Sequence, residues 1–206
     1  MRPLKKKPLI YYTLKTAKDI KAKVKETEII ISSDDSKIIR YSNRYLKQQS
    51  IYLRPKSVSK SSSSMEETLL NLIKNLKTKK INPKNILILQ PTSPIRNCNN
   101  ILKFFKMLDL SKKISSIVSI SKPIETPLDF IYKNNKNLFS SIKSLKKNKR
   151  FFVINGNFYI IKTKYLMKKK KIFDFTKQTK FVEIDKSNSL DINDIFDFKF
   201  CEKLMA

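Results

Sequence analysis

Residues 86–96 read ILILQPTSPIR, an apolar run that ends abruptly in a loop of two prolines, two hydroxyl residues and an arginine. The apolar part is typical of a strand buried on both faces of a parallel sheet. The prolines fix φ and remove competing N–H groups, so they hold Thr92 and Ser93 in set directions. Gln90 both donates and accepts hydrogen bonds, which suits a sugar or a base edge. The alternative is that this loop is only a rigid strand-to-helix connector.

Around this stretch, short apolar runs alternate with amphipathic segments, which predicts an α/β domain with a mostly parallel sheet. The predicted strands are 28–32, 51–53, 85–89, 115–121 and 180–184. The predicted helices are 8–22, 36–47, 65–80, 99–110 and 194–204. Between residues 123 and 180 the rhythm changes to short strand-like pieces, which indicates an antiparallel excursion that covers the site or forms a dimer contact.

The composition narrows the class of protein. The chain has 45 Lys and Arg against 17 Asp and Glu, a net charge of +28. One interpretation is a nucleic-acid-binding protein, and the other is a coding bias towards Lys, Ile and Asn. The basic residues are mostly Lys, spread along the chain with short clusters such as 168–171. Specific phosphate and base readers favour Arg, so the bias is preferred and a nucleic-acid partner is not expected.

The chemistry available to the chain is limited by what it lacks. It has no histidine, which excludes histidine-based nucleophilic catalysis and histidine metal sites. Cys98 and Cys201 are too few for a disulfide framework, and a reducing, cytoplasmic location fits them best. There is no apolar run long enough to span a membrane and no signal-peptide pattern, so no membrane partner is predicted.

Polar clusters fall after the predicted strands, where open α/β sheets bind ligands. They lie at residues 32–35, 54–64, 90–96, 155–156 and 189–194. Gly156 is the only glycine in the chain, which predicts a position that needs a positive φ or close backbone approach. Asn-Gly between two strand-like runs is equally the signal of a hairpin turn, and the sequence leaves both interpretations open.

In chain order, six segments resemble those of the acylneuraminate cytidylyltransferases, also called CMP-N-acetylneuraminate synthetases. They are RPLKKKPLIYYTL (2–14), EIIISSDDSKI (28–38), LRP (53–55), LQPTSPIR (89–96), NGNFYI (155–160) and SLDINDIFDF (189–198). The resemblance covers essentially the whole chain. It implies one domain over 1–206, with a Rossmann-like nucleotide-diphospho-sugar transferase fold and a mixed, mostly parallel sheet.

The resemblance also implies a reaction, in which CMP passes from CTP to a nonulosonic (sialic-type) acid with release of pyrophosphate, with Mg²⁺, for cell-surface glycans such as lipopolysaccharide or capsule. By matching position, Asp191 would bind Mg²⁺ and act in catalysis, with weaker help from Asn193. Family members are typically homodimers, for which the 123–180 excursion is the candidate contact. The implied substrate-binding residues are Arg54, Ser62, Ser64, Gln90, Thr92, Ser93, Asn155 and Gly156.

The chain also departs from the family pattern. The family begins with a strand and a glycine-rich triphosphate loop that would precede residue 2, and the sequence as given lacks both. Two hypotheses follow: a misassigned start, or a degenerate and weakly active or inactive relative. Asn193 stands where the family has a second aspartate, and Ile195 replaces a glutamate. On the sugar side, Asp129 and Val153 stand near positions where the family has a lysine and an arginine.

Overall fold

The computed structural model describes residues 2–47, 51–59, 63–125, 127, 130–133, 139–141 and 150–205. The helices are α1 (Ile10–Lys23), α2 (Ser36–Leu46), α3 (Met65–Thr78), α4 (Cys98–Leu110), α5 (Thr163–Lys169) and α6 (Ile195–Leu204). The strands are β1 (Pro3–Leu4), β2 (Lys7–Pro8), β3 (Ile31–Ser33), β4 (Ile51–Leu53), β5 (Asn85–Ile88), β6 (Ser116–Ser121), β7 (Ile131–Lys133), β8 (Phe139–Ser141), β9 (Val153–Lys162) and β10 (Thr179–Glu183).

The main sheet has four strands in the order β10-β6-β9-β5. β10 pairs with β6 in parallel, whereas β9 is antiparallel to both β6 and β5. Three of the four strands therefore run in one direction, and the loops that follow them meet at one end of the sheet, the carboxyl-end edge. β9 runs in the opposite direction and therefore begins at this same edge. β3 and β4 form a separate parallel pair, and in the described part of the chain no strand ladder joins them to the main sheet.

Helices cover both faces of the main sheet. Alternate residues of β9 point to opposite faces, so Phe158 and Ile160 pack in a cluster with residues of α1 and α4. Tyr159 and Ile161 pack in a second cluster with residues of α3 and α5. Full burial of each such aliphatic or aromatic side chain contributes about 1.5–3 kcal/mol. Across the described residues, no helix meets the length and hydropathy needed to cross a bilayer.

Local signals explain where the helices begin. Ser64 and Glu67 form a capping box at the start of α3, with both reciprocal hydrogen bonds in place. Asp35, Asn97 and Asp194 each accept a backbone N–H at the starts of α2, α4 and α6, which satisfies donors that have no partner within the helix. The predicted helices are confirmed to within two residues at each end. α5, with seven residues, was not predicted.

Two strand predictions are wrong in detail. The strand predicted at 28–32 is found at Ile31–Ser33, because its partner β4 is only three residues long and the ladder stops with it. The two strand-like runs on either side of Asn155-Gly156 do not form separate strands but belong to the single ten-residue strand β9. That strand lies inside the main sheet. Within the predicted excursion, β7 and β8 do pair antiparallel, and residues 134–138 and 142–149 lie outside the described residues.

Lysine occupies backbone positions that favour glycine. In the described chain, the residues other than glycine with positive φ are Lys5, Lys6, Lys47, Lys80 and Lys170. Lys47 and Lys170 end α2 and α5 in the left-handed conformation, where Gly is the usual residue. Lys5 and Lys6, with φ of 46° and 62°, form the turn between β1 and β2. A left-handed L-residue costs roughly 1 kcal/mol relative to glycine, so the terminal hairpin is strained.

We therefore expect Lys6→Gly to raise the free energy of unfolding by about 1 kcal/mol, measured by urea denaturation. Lys15→Gly is the matched control, because Lys15 is exposed in the middle of α1 and removes the same charge. There, glycine should lower stability by about 1 kcal/mol. If both variants lose stability alike, the strain assigned to the β1–β2 turn is wrong.

Candidate functional site

The candidate site is built on an interruption in the ladder between β6 and β9. Val118 pairs with Tyr159, but Ile120 pairs with Ile154, so residues 155–158 of β9 oppose Ser119 alone. The hydroxyl of Ser119 replaces the missing ladder bonds. It accepts from the Phe158 amide at 3.1 Å and donates to Oδ1 of Asn155 at 2.7 Å. A bulge of this kind redirects side chains at the end of a strand.

Gly156 lies in this bulge with φ of 68°, so the hairpin interpretation of Asn-Gly is wrong and the positive-φ interpretation is confirmed. A Cβ at this position would collide with Oε1 of Gln90 and lie 3.6 Å from Oγ of Ser93. The bulge thus brings Gly156 against two residues of the loop quoted at the outset. Gly156 is required here for its lack of volume as well as for its backbone freedom.

Arg96 ties the loop to the bulge and to α1. Its Nε donates to the carbonyl of Asn157 at 2.8 Å, Nη1 donates to Oγ1 of Thr13 at 3.0 Å, and Nη2 donates to the carbonyl of Gln90. Burial lowers the pKa of Arg96 to about 9, and the negative charge of Asp191 opposes the shift. The guanidinium therefore keeps its charge at neutral pH. Arg96 is not among the site residues predicted from the sequence.

Asp191 meets the same loop from the segment before α6. Ser93, which is fully buried, donates from Oγ to Oδ1 of Asp191 at 3.1 Å. The amide of Ile192 donates to the carbonyl of Thr92 at 2.8 Å. The predicted residues Gln90, Thr92, Ser93 and Asp191 thus come together with the bulge at the carboxyl-end edge of the sheet, although Gln90 and Asp191 are 101 residues apart in sequence.

Asn155 and Tyr159 complete this cluster. Asn155 is 5% exposed, and its Nδ2 has no hydrogen-bond partner among the described residues. Its Oδ1 accepts from Ser119 and from the Asn157 amide, so the orientation of the side chain is fixed. Burial, and after it the charges of Asp191 and Glu66, raise the pKa of the Tyr159 hydroxyl. Tyr159 was not predicted as a site residue, although it lies in the quoted segment NGNFYI.

Arg54 belongs to a second polar cluster, at the carboxyl ends of β3 and β4. Its Nη2 donates to Oδ1 of Asp34 at 3.0 Å. Nε of Arg54 and Oγ of Ser32 are buried without a partner among the described residues. An unpaired buried polar atom costs free energy, so both atoms suit a ligand that supplies the missing hydrogen bonds.

The remaining predicted residues stand apart from the cluster around Gln90. Ser64 uses its hydroxyl to cap α3, and Ser62 lies outside the described residues. Asn193 is exposed, and its Nδ2 donates to the carbonyl of Asp191 at 3.4 Å. Within the described chain, three or more carboxylates or thiols nowhere cluster into a metal site. Asp191 and Asn193 offer one carboxylate and one amide, which fits Mg²⁺, because this ion commonly takes few protein ligands and completes its shell with phosphates and water.

An α/β sheet that gathers amide, hydroxyl and carboxylate groups at the carboxyl ends of its strands is typical of a ligand-binding site. A family model described as cytidylyltransferase matches residues 1–205. The chain belongs to the cytidylyltransferase family and is therefore a nucleotidyltransferase. This finding confirms the family predicted from the six segments and gives no support to the nucleic-acid-binding alternative.

Two relatives are similar to the chain over nearly its whole length. It is 26% identical to a CMP-N,N'-diacetyllegionaminic acid synthase of Legionella pneumophila, over 99% of this chain and 88% of the relative. It is 27% identical to an N-acylneuraminate cytidylyltransferase of Escherichia coli, over 94% of this chain but only 45% of the relative.

The fold is similar to that of CMP:2-keto-3-deoxy-manno-octonic acid synthetase complexed with CTP, with a TM-score of 0.66 at 11% identity over 99% of this chain and 90% of the other. It is also similar to 4-diphosphocytidyl-2C-methyl-D-erythritol synthase from Anaerococcus prevotii, with a TM-score of 0.64 at 14% identity over 98% and 91% of the two chains. At these identities the structures confirm the predicted fold class alone.

Gly156→Ala should lower the free energy of unfolding by about 2–4 kcal/mol, because it adds backbone strain to a collision with Gln90. Adding Gln90→Ala removes the collision but leaves the strain, so the double variant should recover about half of the loss. Urea denaturation of wild type, both single variants and the double variant measures this coupling. Purely additive losses would show that Gln90 does not pack on Gly156.

Proposed function

We propose that the chain transfers CMP from CTP to a nonulosonic acid of the sialic type, giving the CMP-sugar and pyrophosphate. The observation that carries the proposal is the cluster in which Gln90, Ser93 and Asp191 meet the Asn155–Gly156 bulge. Both relatives named above act on acids of this type by their names. We also propose a cytoplasmic location, where CTP is available.

In the proposed reaction, the anomeric hydroxyl oxygen of the acid forms a bond to the α-phosphorus of CTP. The bond from that phosphorus to the bridging oxygen breaks, pyrophosphate leaves and the hydroxyl proton passes to solvent. Catalysis of this kind depends on positioning and on neutralising charge. No histidine is needed for either.

Each part of the site has a distinct task in this proposal. Arg54, with its unpaired buried Nε, would bind the cytidine part together with the serines near Ser62 and Ser64. Gln90 would bind the sugar, and the absence of a side chain at Gly156 leaves room for the side-chain amide of Gln90. Asn155 would hold the bulge in place, and Thr92 would hold the 90–96 loop. Asp191 would hold Mg²⁺, which when bound neutralises phosphate charge.

The proposal is tested by incubating the 206-residue chain with CTP, Mg²⁺ and a panel of N-acetylneuraminic, legionaminic and pseudaminic types of acid. CMP-sugar and pyrophosphate should appear with at least one acid and disappear when EDTA removes the metal. CTP with no acid is the control for hydrolysis. Absence of a CMP-sugar with every acid, from protein that remains folded by circular dichroism, would reject the proposed function.

The metal assignment has its own pair of variants. Asp191→Asn removes the carboxylate and should raise the Mg²⁺ concentration for half-maximal rate at least tenfold. Asn193→Asp restores the second carboxylate of the family pattern and should lower that concentration. Titration of the rate with Mg²⁺ measures both. If Asn193→Asp leaves the midpoint unchanged or raises it, Asn193 does not face the metal.

We further propose that the chain forms a homodimer through the 123–180 excursion. In support, Ile124 near its start and Phe152 and Val153 near its middle are 84%, 43% and 47% exposed. Ile124 and Phe152 line the same cleft, and exposed apolar side chains that lie together mark interaction sites. Light scattering after size exclusion should give twice the mass of one chain. Replacing all three residues with Ser should return the mass to that of a monomer. A monomer mass for the wild-type protein would reject the dimer.

A further inference from the structure

A basic and aromatic surface lies at the edge of the sheet opposite the candidate site. Residues 171–178 connect α5 to β10 and precede β10, so they lie where β6 begins, at Ser116. The bulge at 155–158 lies where β6 ends. The six-residue strand β6 separates the two regions, so a partner bound at one edge leaves the other free.

Phe175 is the most exposed part of this surface. It is 86% exposed, yet its position is well determined by two neighbouring rings. Its ring stacks on Phe181 with centroids 5.7 Å apart, and it meets Phe173 edge-on at 6.0 Å. Phe173 and Phe181 pack against the core below α3 and α5. The outer ring is therefore supported from beneath and open to solvent above.

Asp174 holds the loop in shape. Its Oδ1 accepts from the amide of Thr176 at 3.1 Å, from the hydroxyl of Thr176 at 2.6 Å and from the hydroxyl of Thr179 at 3.2 Å. These bonds lower the pKa of Asp174, the hydroxyl of Thr176 most of all. The one carboxylate of residues 168–181 is thus engaged within the loop, and presentation of Phe175 needs little further ordering on binding.

Five exposed lysines lie close to Phe175 along the chain: Lys168, Lys169, Lys170, Lys171 and Lys177. The ion pairs found in the described chain involve Lys21, Lys84 and Arg54 and none of these five. Although lysine is abundant throughout this chain, five lysines without an ion pair close to an exposed aromatic ring go beyond a general bias of composition.

We propose that this surface, defined by Phe175 and the five lysines, docks the protein on an anionic lipid bilayer. An exposed apolar ring with several lysines close to it in the chain fits the boundary between lipid headgroups and acyl chains, where apolar burial and attraction to anionic lipid act together. All five cations are Lys. A bilayer needs only point charges, whereas nucleic acids are read chiefly by the fork of Arg. The active edge would then face the aqueous phase.

The chain contains no tryptophan, so Phe175→Trp places a single fluorescent probe at the tip. Its emission should shift to the blue on adding vesicles in which about a third of the lipid is phosphatidylglycerol, and should not shift with phosphatidylcholine alone. Phe196→Trp is the matched control, because Phe196 is 77% exposed on α6. An unshifted Phe175→Trp emission, or equal shifts at both positions, would overturn the proposal.

Charge variants separate this surface from the net charge of the whole chain. Lys171→Gln with Lys177→Gln should weaken vesicle binding more than tenfold in co-sedimentation, since each lysine near an anionic surface contributes roughly fivefold. Lys103→Gln with Lys106→Gln removes the same charge from exposed positions of α4 and should weaken it less than twofold. Equal losses would assign binding to the overall charge. A probe shift with single-stranded RNA and none with vesicles would assign the surface to nucleic acid instead.

Discussion

The site depends on one break in a strand ladder. Residues 155–158 of β9 leave the ladder opposite Ser119. The hydroxyl of Ser119 then bonds the amide of Phe158 and the side-chain oxygen of Asn155, which have no ladder partner. Because buried polar groups must be paired, the bulge is stable only with Ser119 in place. The carbonyl of Asn157, which has no ladder partner, accepts from Arg96. The side-chain amide of Asn157 donates to the carbonyls of Ile95 and Asn188. The interruption thus connects three loops that would otherwise be independent.

Charge at the centre of the site is arranged without histidine. Arg96 is held by carbonyl and hydroxyl oxygens, and Asp191 is held by Ser93, so the two opposite charges influence each other without forming a direct pair. A direct pair would use the carboxylate oxygens that a cation needs. The neutral serine leaves Asp191 with acceptor capacity for a metal. This arrangement suits a reaction that depends on charge neutralisation more than on proton transfer.

Much of the fold was predictable from local signals. Helix periodicity and capping residues predict the ends of α2, α3 and α4, because those signals are contained within a few neighbouring residues. The bulge was not predictable, since Asn-Gly has the same signature in a hairpin and the deciding partner, Ser119, is 37 residues away from Gly156. Arg96 and Tyr159 were missed as site residues for the same reason, as their roles come from tertiary contacts. The resemblance of NGNFYI to the family pattern was the one signal that pointed to Tyr159.

Glycine usually meets two structural needs at once, a positive φ and the absence of a side chain, and in this chain the first need also occurs without the second. Five lysines adopt positive φ in the described chain, so dihedral freedom alone is a need that this sequence meets at a tolerable cost of roughly 1 kcal/mol each. The sole glycine, Gly156, lies where the side chain of Gln90 already fills the space that a Cβ would need. Strain can be offset by stability elsewhere in the domain, but excluded volume cannot. In a chain this rich in lysine, the one retained glycine therefore marks the position where the 155–158 bulge packs directly against the 90–96 loop. The rarity of glycine in the composition thus helps to locate the candidate site.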